Sequence, residues 1–600
     1  MEFTLKKTDV STYDHFLKVV DCQQACPAHT PVPEYIRLIA DKRYSDAYLL
    51  NWQSNVFPGV LGRVCDRPCE PACRRGRVEE EPVAICRLKR VTADLKDDIS
   101  ARLPKAPEHK NGKTVALIGA GPASLTVARD LVPLGYEVTI FDRDFKGGGM
   151  MRSQIPAFRL PESVLDEEID YILNMGVKTE FGTPITSLHK LLKDNYDAIF
   201  VGTGAPKGRA INIPGVKEAD AHIALGIDWL SNVSFGHNDK APKRVVVLGG
   251  GNTAMDCCRT AKRLGGTDVK VVVRSSYAAM KASPWEKKDA AAEGIDIIVN
   301  HTPKEFVMKN GKFVGVAFEQ VESIYDRGGN RVLKQTGKTL FVECDLVLVA
   351  VGQDTSFPWI ERDIGLDFNE WGQPELNDKT LQSSIDKVFF GGDAAFGPEN
   401  IITAVAHGHK AAISIDLFCQ GVNPEQRTDS DFALISQKMG MHEWSYQNIT
   451  DHEVRHAVPH ISWEKAVKEL ATEVELGFDD QLALQEAKRC LNCDVHTVFT
   501  ESTCIECSAC DDICPVDCIN FIEDIPDNTR PAQELLKGKL HLDKATDEQD
   551  YLISDKLKTG NIMVKDEDMC LHCGLCAERC PTGAWDMQKL TLSNVEATIK

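Results

Sequence analysis

The sequence contains no run of 18 consecutive apolar residues, and basic residues are in a minority. Without such a run, no membrane-spanning helix is expected. The opening stretch, MEFTLKKTDV, lacks the apolar core of a secretory signal, so a cytoplasmic protein is expected. Lys and Arg number 69 against 89 Asp and Glu. The resulting net charge of −20 argues against nucleic acid as a partner and favours docking to a basic surface.

Cysteine, by contrast, is plentiful. The 600 residues include 21 cysteines, most of them in clusters. In a long chain without an export signal, clustered cysteines indicate metal or cluster ligands rather than disulfides. The length favours roughly three to five domains, and a composition of 43% hydrophobic and 26% charged residues is typical of globular proteins.

The stretch KTVALIGAGPASLTVARDL, residues 113–131, is an apolar run followed by a Gly-rich turn and an amphipathic helix pattern. This order is typical of the start of a dinucleotide-binding unit, in which a pyrophosphate lies on the amides of the helix N-terminus. Serine takes the third glycine position and is still small enough for close packing of helix on strand. A carboxylate ends the second strand, EVTIFD, where it can accept from a ribose hydroxyl, so this unit is of FAD or NAD type. The predicted cofactor-binding residues of this unit are Gly119, Gly121, Pro122, Ala123, Ser124 and Asp142.

A second copy of the pattern, KRVVVLGGGNTAMDCCRTAKRLG, spans residues 243–265. Here the second strand, VKVVVR, ends on Arg274 instead of a carboxylate. A guanidinium pairs with a 2′-phosphate, whereas a carboxylate repels it, so this unit favours NADP over NAD. A single such turn also occurs in ordinary α/β proteins, but two complete copies argue for nucleotide binding. The predicted nucleotide-binding residues are Gly249, Gly251, Asn252, Thr253 and Arg274.

Two further stretches predict a flavin site in the first unit. GGGMMRSQIPAFRLP follows its second strand, and its glycines let backbone pass close to a flavin. VFFGGDAAFGPEN is a strand, a Gly-Gly-Asp turn and the start of a helix near Asn400. Asp393 can bond the ribityl chain, and the helix N-terminus points at the isoalloxazine ring. The predicted flavin-binding residues of these stretches are Gly149, Arg159, Gly392 and Asp393.

Near the C-terminus, the pattern C-x₂-C-x₂-C-x₃-C-P occurs twice, as CIECSACDDICP and CLHCGLCAERCP. This is the run of bacterial two-cluster ferredoxins, in which the fourth cysteine of each run ligates the other cluster. One predicted [4Fe–4S] cluster has the ligands Cys504, Cys507, Cys510 and Cys580. The other has the ligands Cys570, Cys573, Cys576 and Cys514.

Six more cysteines lie before residue 105, in DCQQACPAHTPV, GRVCDRPCEPACRRG and PVAICRLKR. Prolines among them argue against a continuous helix and favour loops wrapped around a centre. Zinc is the alternative to iron–sulfur. A cysteine followed by proline is more typical of iron–sulfur binding, which the sequence therefore favours. The predicted N-terminal ligands are Cys22, Cys26, Cys65, Cys69, Cys73 and Cys86. The cysteines expected only to pack are Cys257, Cys258, Cys344, Cys419 and Cys518.

The motifs GRVCDRPCEPAC, PVAICRLKR, GAGPASL, IPAFRLP, GGGNTAMD and GGDAAFG, in this order, resemble the glutamate synthase small-subunit family. That family includes the flavin- and nicotinamide-binding part of dihydropyrimidine dehydrogenase and the large subunit of bifurcating NADH-dependent ferredoxin:NADP oxidoreductases. The resemblance covers roughly residues 20–415, and the ferredoxin pattern covers 500–590. It implies one FAD, an NAD(P)H site on the inserted second unit and two [4Fe–4S] clusters in the N-terminal domain.

The sequence departs from this family twice. Members often carry YRR where this chain has Val273, Arg274 and Ser275, so one candidate phosphate-binding arginine is absent. Members also place an EAxRCLxC pair just before the first N-terminal cysteines, whereas here EAKRCLNC lies at residues 486–493.

Two [4Fe–4S] clusters need eight ligands and the N-terminal domain offers six cysteines, so Cys490 and Cys493 are predicted to complete them. The predicted ligands of one cluster are Cys22, Cys73, Cys490 and Cys493. Those of the other are Cys26, Cys65, Cys69 and Cys86. Some family members close this second cluster with a different residue further along the chain.

The predicted fold is a multidomain α/β architecture. It has a helical iron–sulfur N-terminal domain, two interleaved Rossmann-like dinucleotide-binding domains and a C-terminal bacterial-type α+β ferredoxin domain. The predicted boundaries are 1–105 for the helical domain, 106–235 with 351–420 for the FAD domain, 236–350 for the NAD(P)H domain, 421–500 for a linker with the extra CxxC, and 501–600 for the ferredoxin domain.

The predicted function is electron transfer between NAD(P)H and a protein partner through FAD and four [4Fe–4S] clusters. Hydride transfer to a flavin depends on alignment and exclusion of water, so no catalytic acid or base is predicted. A ferredoxin or a 2-oxoacid:ferredoxin oxidoreductase is the expected partner. The alternatives are a glutamate synthase small subunit, the flavin subunit of a bifurcating, hydrogenase or formate dehydrogenase complex, and a non-catalytic electron-wire subunit.

Overall fold

The computed structural model of the chain describes residues 8–10, 20–76, 81–325, 331–427, 431–436, 454–523 and 551–593. Two parallel sheets occupy the middle of the chain, with helices before them and two small antiparallel sheets after them. Within the described ranges, no helix has both the length and the apolar composition to cross a membrane.

Short helices joined by loops form the N-terminal domain. Helix Pro58–Val64 begins on a proline, which suits the first helical position because no backbone N–H donor is needed there. The helix ends where Cys65 adopts an extended conformation (φ −66°, ψ 143°), and the chain from Cys65 to Cys73 forms loops and turns. Among the described residues, the helices of this domain are Asp21–Gln24, Val32–Ala40, Tyr44–Asn55, Pro58–Val64 and Ile85–Asp94.

The buried carboxylate of Glu168 joins this helical domain to the first α/β unit. It accepts from the backbone N–H groups of Gly59 (2.6 Å) and Val60 (3.0 Å) at the start of helix Pro58–Val64. The hydroxyl of Tyr48 donates to the same carboxylate at 2.8 Å. Burial raises the pKa of Glu168 to about 7, although these three donors oppose the shift.

Replacing Glu168 by glutamine is expected to weaken the pH dependence of stability. Because the pKa is higher in the folded than in the unfolded chain, this group stabilises fully below about pH 4.5 and its contribution is lost as pH rises through about 7. The shift corresponds to about 3 kcal/mol, and glutamine does not ionise. The measurement is the thermal unfolding midpoint of Glu168→Gln relative to wild type between about pH 5 and pH 8.

As pH rises, the thermal unfolding midpoint of Glu168→Gln should increase relative to that of the wild type. The neighbour Glu167 is exposed and pairs with Lys96 (2.9 Å), so Glu167→Gln is the matched control and should leave the pH profile unchanged. A constant difference between wild type and Glu168→Gln across this range would show that the carboxyl does not titrate in the folded chain with a raised pKa.

The first parallel sheet has five strands and carries the first glycine turn. Its strands, from one edge to the other, are Val388–Phe390, Ala198–Val201, Thr114–Ile118, Glu137–Asp142 and Lys178–Phe181. Four of the strands precede residue 202, and the fifth returns at residue 388. The second unit is therefore inserted into the first. The helices flanking this sheet are Pro122–Leu131, Met150–Ser153, Glu162–Leu173, Leu188–Lys193, Asp393–Phe396 and Ile401–Cys419.

The second parallel sheet carries the second glycine turn. Its strands, from edge to edge, are Ile223–Leu225, Leu346–Val349, Arg244–Leu248, Asp268–Val272 and Asp296–Ile298. An antiparallel ribbon follows, with strands His301–Lys309, Lys312–Tyr325 and Arg331–Glu343. The helices of this unit are Gly226–Ser234, Asn252–Arg263 and Pro284–Ala292.

The second unit begins earlier than the predicted boundary at residue 236. Strand Ile223–Leu225 pairs in parallel with Leu346–Val349 of the second sheet, so it and the helix after it belong to this unit. Entry and exit of the insertion lie side by side, because Lys207–Gly208 pairs antiparallel with Gln353–Asp354. Strand Ile223–Leu225 is short and no turn motif precedes it, so the sequence did not indicate that the second unit begins there.

The described part of the C-terminal domain contains two antiparallel three-stranded sheets. One has the strand order Asp431–Ser436, Trp585–Ser593 and Val495–Phe499, and the other Ile519–Glu523, Asn561–Asp566 and Tyr551–Ile553. Two of these strands lie before the predicted boundary at residue 501, so the domain takes up part of the predicted linker. The remaining helices are Trp463–Ala466, Asp480–Ala487, Ala509–Ile513 and Leu575–Arg579.

Candidate functional site

The first glycine turn joins strand Thr114–Ile118 to helix Pro122–Leu131. Gly119 has φ +95°, and a Cβ there would lie 2.6 Å from the carbonyl oxygen of Gly202, so only glycine fits. A Cβ on Gly121 would meet nothing closer than 3.8 Å, which leaves its backbone open to a ligand. Ser124 is fully buried, and its hydroxyl would lie 2.3 Å from a Cβ on Gly202. Serine at this position therefore still packs the helix closely against the neighbouring strand.

Asp142 lies beside this turn. Its carboxylate accepts from the backbone N–H of Ala120 at 2.6 Å and from that of Asp144 at 2.8 Å. Burial raises the pKa of Asp142, and the two amide donors oppose that shift. The carboxylate is thus held at the mouth of the glycine turn, where a ribose hydroxyl can reach its remaining lone pairs.

Two more backbone segments converge on the same turn. Gly149 has φ +51°, and a Cβ on it would lie 2.9 Å from the Cα of Gly121. Gly392 has φ +60° and packs against Ala123. Asp393 follows it, and burial raises the pKa of its carboxyl to about 6. Together these segments form a cradle of bare backbone around the first turn.

Helix Ile401–Cys419 begins beside this cradle. Asn400 caps it by accepting from the N–H of Thr403 at 2.9 Å. Nearby, the hydroxyls of Ser124 and Thr203 are buried and find no hydrogen-bond partner among the described residues. Buried hydroxyls normally have partners, so the cradle fits a bound group with acceptors, as FAD would provide.

The second glycine turn is built in the same way. Gly249 has φ +142°, and a Cβ on it would lie 2.1 Å from the carbonyl oxygen of Ala350. Gly251 faces open space, and helix Asn252–Arg263 starts directly after it. Arg274 is exposed and follows strand Asp268–Val272. It therefore lies at the carboxyl ends of the parallel strands, as the glycine turn does. This arrangement fits a dinucleotide with its phosphates on the turn and a 2′-phosphate toward Arg274.

Arg159 lies between the two units. Its guanidinium pairs with Asp256 at 2.7 Å and with Glu286 at 2.7 Å, both in the second unit. These contacts occupy the side chain with protein carboxylates, so the structure places it as a bridge between the units. Its predicted role in cofactor binding stays a prediction.

The second turn also borders the cysteine loop of the N-terminal domain. The side-chain amide of Asn252 donates to Asp66 at 3.3 Å, and its oxygen accepts from the N–H of Ser283 at 2.8 Å. One residue further, the guanidinium of Arg67 lies 3.8 Å from the ring centroid of Trp285. The nucleotide unit and the loop that starts at Cys65 are therefore in direct contact.

Four N-terminal thiols lie around one buried lysine, and we call this group the inner site. Hydrogen bonds from the thiols of Cys65 and Cys69 lower the pKa of Cys86. The ammonium of Lys89 is buried, which by itself lowers its pKa, but the negative potential of the surrounding thiols raises it overall. The inner site is Cys26, Cys65, Cys69 and Cys86.

The other four predicted N-terminal cluster ligands line one cavity. We call it the shared site because two of these cysteines precede the dinucleotide-binding units in the chain and two follow them. The cavity encloses about 360 Å³, including space open to solvent, and apolar side chains such as Val32 and Ile36 complete its wall. Burial raises the pKa of Cys22 well above its usual value, and the three other thiols raise it further. The shared site is Cys22, Cys73, Cys490 and Cys493.

A buried polar network holds the distant CxxC against the N-terminal domain. Glu486 is fully buried and accepts from the N–H of Ala84 at 2.8 Å. Arg489 donates to Glu486 (2.8 Å) and to the carbonyl oxygen of Pro82 (3.1 Å). These contacts place the EAKR segment, residues 486–489, against Pro82 and Ala84, shortly before Cys86, and hold the two cysteines that follow it.

A second ion pair holds the residue after Cys493. The guanidinium of Arg37 donates to both carboxylate oxygens of Asp494, at 2.7 Å and 2.5 Å. Such a bidentate pair is short and geometrically specific. Buried polar contacts therefore hold the chain both before Cys490 and after Cys493.

The ferredoxin cysteines form two groups in the predicted cross-paired combination. One group lines a cavity with Phe499 and Trp585, and we call it the distal site: Cys504, Cys507, Cys510 and Cys580. In the other group, burial raises the pKa of Cys576 and the three neighbouring thiols raise it further. We call this group the proximal site: Cys514, Cys570, Cys573 and Cys576. Cys518 is buried next to the proximal site, with its Sγ 3.5 Å from Cys514 Sγ.

Each site offers four thiols, which fits a [4Fe–4S] cluster, and all of these thiols except that of Cys507 are buried or partly buried. Sequence reasoning did not single out Lys89, Arg74 or His572, all of which contact or lie beside these sites. Lys89 follows Cys86 by three residues on helix Ile85–Asp94, so helical spacing alone could have placed it on the same face. The contacts of Arg74 cross between domains, and no local pattern predicts them.

Comparison with known proteins identifies three family models along the chain. Pyridine nucleotide-disulphide oxidoreductase matches residues 113–408, dihydropyrimidine dehydrogenase domain II with a 4Fe–4S cluster matches 17–100, and a 4Fe–4S dicluster domain matches 503–584. The iron–sulfur interpretation of the N-terminal cysteines is therefore confirmed over zinc at the level of the domain.

Curated relatives span most of the chain. The NADP(+)-dependent formate dehydrogenase subunit beta of Moorella thermoacetica is 34% identical over 513 residues, covering 80% of this chain and 71% of that protein. The NADPH-Fe(3+) oxidoreductase subunit beta of Geobacter sulfurreducens is 33% identical over 503 residues, covering 79% and 75%. The small chain of NADPH glutamate synthase from Escherichia coli is 33% identical over 416 residues, covering 66% of this chain and 87% of that protein.

The predicted resemblance, the multidomain fold and the flavin and iron–sulfur oxidoreductase function are thereby confirmed. The chain belongs to the family of NAD(P)H-dependent flavin and iron–sulfur oxidoreductases that includes the glutamate synthase small chain, with an iron–sulfur domain before its dinucleotide-binding core and a dicluster ferredoxin domain after it.

Proposed function

We propose that the chain moves electrons between NADP(H) and a redox protein partner, using one FAD and four [4Fe–4S] clusters. When bound, FAD exchanges hydride with the nicotinamide and single electrons with the clusters. The expected partner is a ferredoxin or a larger enzyme such as a 2-oxoacid:ferredoxin oxidoreductase.

One observation carries this proposal: the shared site lies between the N-terminal domain and the ferredoxin domain. The backbone from Cys493 runs directly into strand Val495–Phe499, which pairs with strand Trp585–Ser593 of the ferredoxin domain. At the other end, the loop of the inner site contacts the nucleotide unit through Asp66 and Asn252. In the proposed path, the four thiol sites connect the nucleotide-binding units to the ferredoxin domain.

The chain's own residues bind and align the reactants. The open backbone at Gly251 and the start of helix Asn252–Arg263 would take the nucleotide phosphates, and Thr253 lies in the same first turn. Arg274 would pair with the 2′-phosphate. The FAD pyrophosphate would lie on the corresponding turn of the first unit, with the residues Gly119, Gly121, Pro122, Ala123, Ser124, Asp142, Gly149, Gly392 and Asp393 around the cofactor.

The distal site is the proposed outlet to the partner. Cys507 is exposed, and next to it Ile505 is 55% exposed. Ile513 is also exposed, and Asp512 lies beside it on the surface. An apolar centre with acidic neighbours, on a chain of net charge −20, suits a partner with a basic rim around an apolar patch.

The purified chain is expected to hold one FAD and about sixteen irons, since each of four Cys₄ sites would carry four. Anaerobic iron and flavin analysis measures both, and addition of NADPH should bleach the flavin absorbance. Eight irons per chain would remove the N-terminal clusters from the proposal. A flavin that NADPH does not bleach would favour the electron-wire alternative instead.

A subunit role in a formate dehydrogenase or glutamate synthase complex is the second candidate, favoured by the named relatives. The two functions differ in what binds the chain. Affinity purification of the native chain followed by mass spectrometry identifies the bound subunit. A formate dehydrogenase or an amidotransferase subunit would support the second candidate, and a 2-oxoacid:ferredoxin oxidoreductase would support the first.

A further inference from the structure

Arg74 lies in the interface between the N-terminal domain and the ferredoxin domain. Its side chain is 2% exposed, and its Nη1 donates to the backbone carbonyl of Glu567. The same nitrogen lies 2.8 Å from Nε2 of His572. On the other side, Nη2 donates to Asp21 at 3.1 Å. One guanidinium therefore touches both domains.

The partners of His572 determine which ring nitrogen carries the proton. Nδ1 lies 3.2 Å from the carbonyl oxygen of Val495. A carbonyl oxygen only accepts, so Nδ1 carries the proton and Nε2 accepts from Arg74. The backbone N–H of His572 donates to Cys570 Sγ at 3.4 Å, and a ring nitrogen lies within 4.8 Å of the same sulfur. The imidazole is thus fixed between Arg74 and the proximal site.

Arg74 also belongs to the wall of the shared site. It directly follows the ligand Cys73 and lines the cavity with Cys493. Burial lowers its pKa, but nearby negative groups, with Cys493 first and Cys570 among them, raise it overall. The same positive charge therefore acts on a thiol of the shared site and on a thiol of the proximal site.

We propose that Arg74 and His572 form the contact through which the shared and proximal clusters exchange electrons, and that Arg74 raises the reduction potential of both clusters. This inference rests on the proposed function. One electron leaves one cluster and one enters the other; no bond forms or breaks, and no proton moves because the guanidinium stays charged throughout. A fixed, buried positive charge stabilises the more negative, reduced form of each cluster.

The chain offers matched controls for both parts of the proposal. Lys89 is a buried cation near the thiols of the inner site, so it serves as a control for Arg74. Glu506 holds the position in the first cysteine run that His572 holds in the second, and both have positive φ (56° and 53°). Glu506 lies at the distal site instead, so it serves as a control for His572.

The first test is a redox titration of Arg74→Gln followed by low-temperature EPR. At a fixed potential, the ratio of reduced to oxidised cluster should fall at least tenfold at the shared and proximal sites, which is about 59 mV for a one-electron couple. The distal cluster should keep its potential. Lys89→Gln should lower the potential of the inner cluster alone. The signal of the shared cluster is assigned by its absence from a Cys490→Ser, Cys493→Ser variant.

The second test is kinetic and leaves the guanidinium in place. After rapid mixing of the holoenzyme with NADPH, freeze-quench EPR follows the appearance of reduced ferredoxin clusters. His572→Leu should slow this step tenfold or more, with potentials unchanged, whereas Glu506→Leu should not slow it. This test also applies if Arg74→Gln loses iron.

If Arg74→Gln keeps its clusters and their reduction potentials are unchanged, Arg74 does not raise those potentials. If His572→Leu reduces the ferredoxin clusters at the wild-type rate, electrons do not pass through the contact of Arg74 and His572. Failure of the proposed function looks different, because then the wild-type chain itself would lack the clusters or would not be reduced by NADPH.

Discussion

Replacing Cys490 and Cys493 together by serine is expected to remove about four irons per chain and leave the ferredoxin clusters intact, because one Cys₄ site loses half of its ligands. The structure supports this result with a single cavity lined by both residues and by Cys22 and Cys73. Serine is a poor ligand for iron–sulfur clusters, which are held by thiolates. Iron content and low-temperature EPR of the anaerobically purified variant provide the measurement.

Cys257 and Cys258 provide the matched control. They are adjacent and fully buried, and they belong to the apolar core of the second unit, which contains none of the predicted ligand cysteines. Their replacement by serine should leave the iron content at the wild-type value. Flavin content should stay at one per chain in both variants, which reports that the core is folded. Full iron content in the Cys490, Cys493 variant would contradict the shared site, and loss of the ferredoxin signals would show that the two cysteines support the other domain instead.

Sequence reasoning could reach the shared site only through a counting argument. Cys490 lies more than 400 residues after Cys73, so spacing alone says nothing about their contact. The count of eight ligands and the displaced EAKRCLNC motif supplied the link. What holds the segment in place is a set of buried contacts, such as that of Glu486 with the N–H of Ala84, which no local pattern reveals.

The glycine turns could be predicted because their chemistry is local. The strand, the turn and the helix follow one another within about twenty residues, and the requirement for glycine at Gly119 and Gly249 arises from backbone a short distance away. Arg159 shows the limit of such reasoning. Its motif predicts a cofactor contact, which stays a prediction. The pairing of its guanidinium with Asp256 and Glu286, both distant in sequence, could not be predicted from the motif.

Domain boundaries were predicted less well than motifs for a related reason. A strand of three residues, Ile223–Leu225, joins the second sheet by pairing with a strand more than 100 residues later. Strand Asp431–Ser436 likewise joins the ferredoxin domain by pairing with Trp585–Ser593. In both places, the domain to which the strand belongs is determined by pairing with a strand far away in the sequence. Composition and turn motifs carry no information about such pairing.

Arg274→Ala is expected to weaken the binding of NADPH about tenfold to a hundredfold while leaving the binding of NADH almost unchanged. A charge-assisted hydrogen bond to a phosphate contributes roughly 1.5–3 kcal/mol, and NADH lacks that phosphate. Arg274 is exposed just beyond strand Asp268–Val272, where the second residue of the family's arginine pair is serine. A single guanidinium is therefore expected to determine the preference for NADPH in this chain.

The comparison uses the apparent dissociation constants of both nucleotides, from anaerobic bleaching of the flavin at increasing concentration. Lys243 is a suitable control, since it is exposed at the opposite end of the same sheet, just before strand Arg244–Leu248. Lys243→Ala should leave both constants unchanged, which removes a general effect of net charge. Arg274→Lys should fall between wild type and Arg274→Ala, because an ammonium keeps the charge but not the bidentate geometry. An equal loss for both nucleotides in Arg274→Ala, or a wild-type preference for NADH, would show that this guanidinium does not bind the 2′-phosphate.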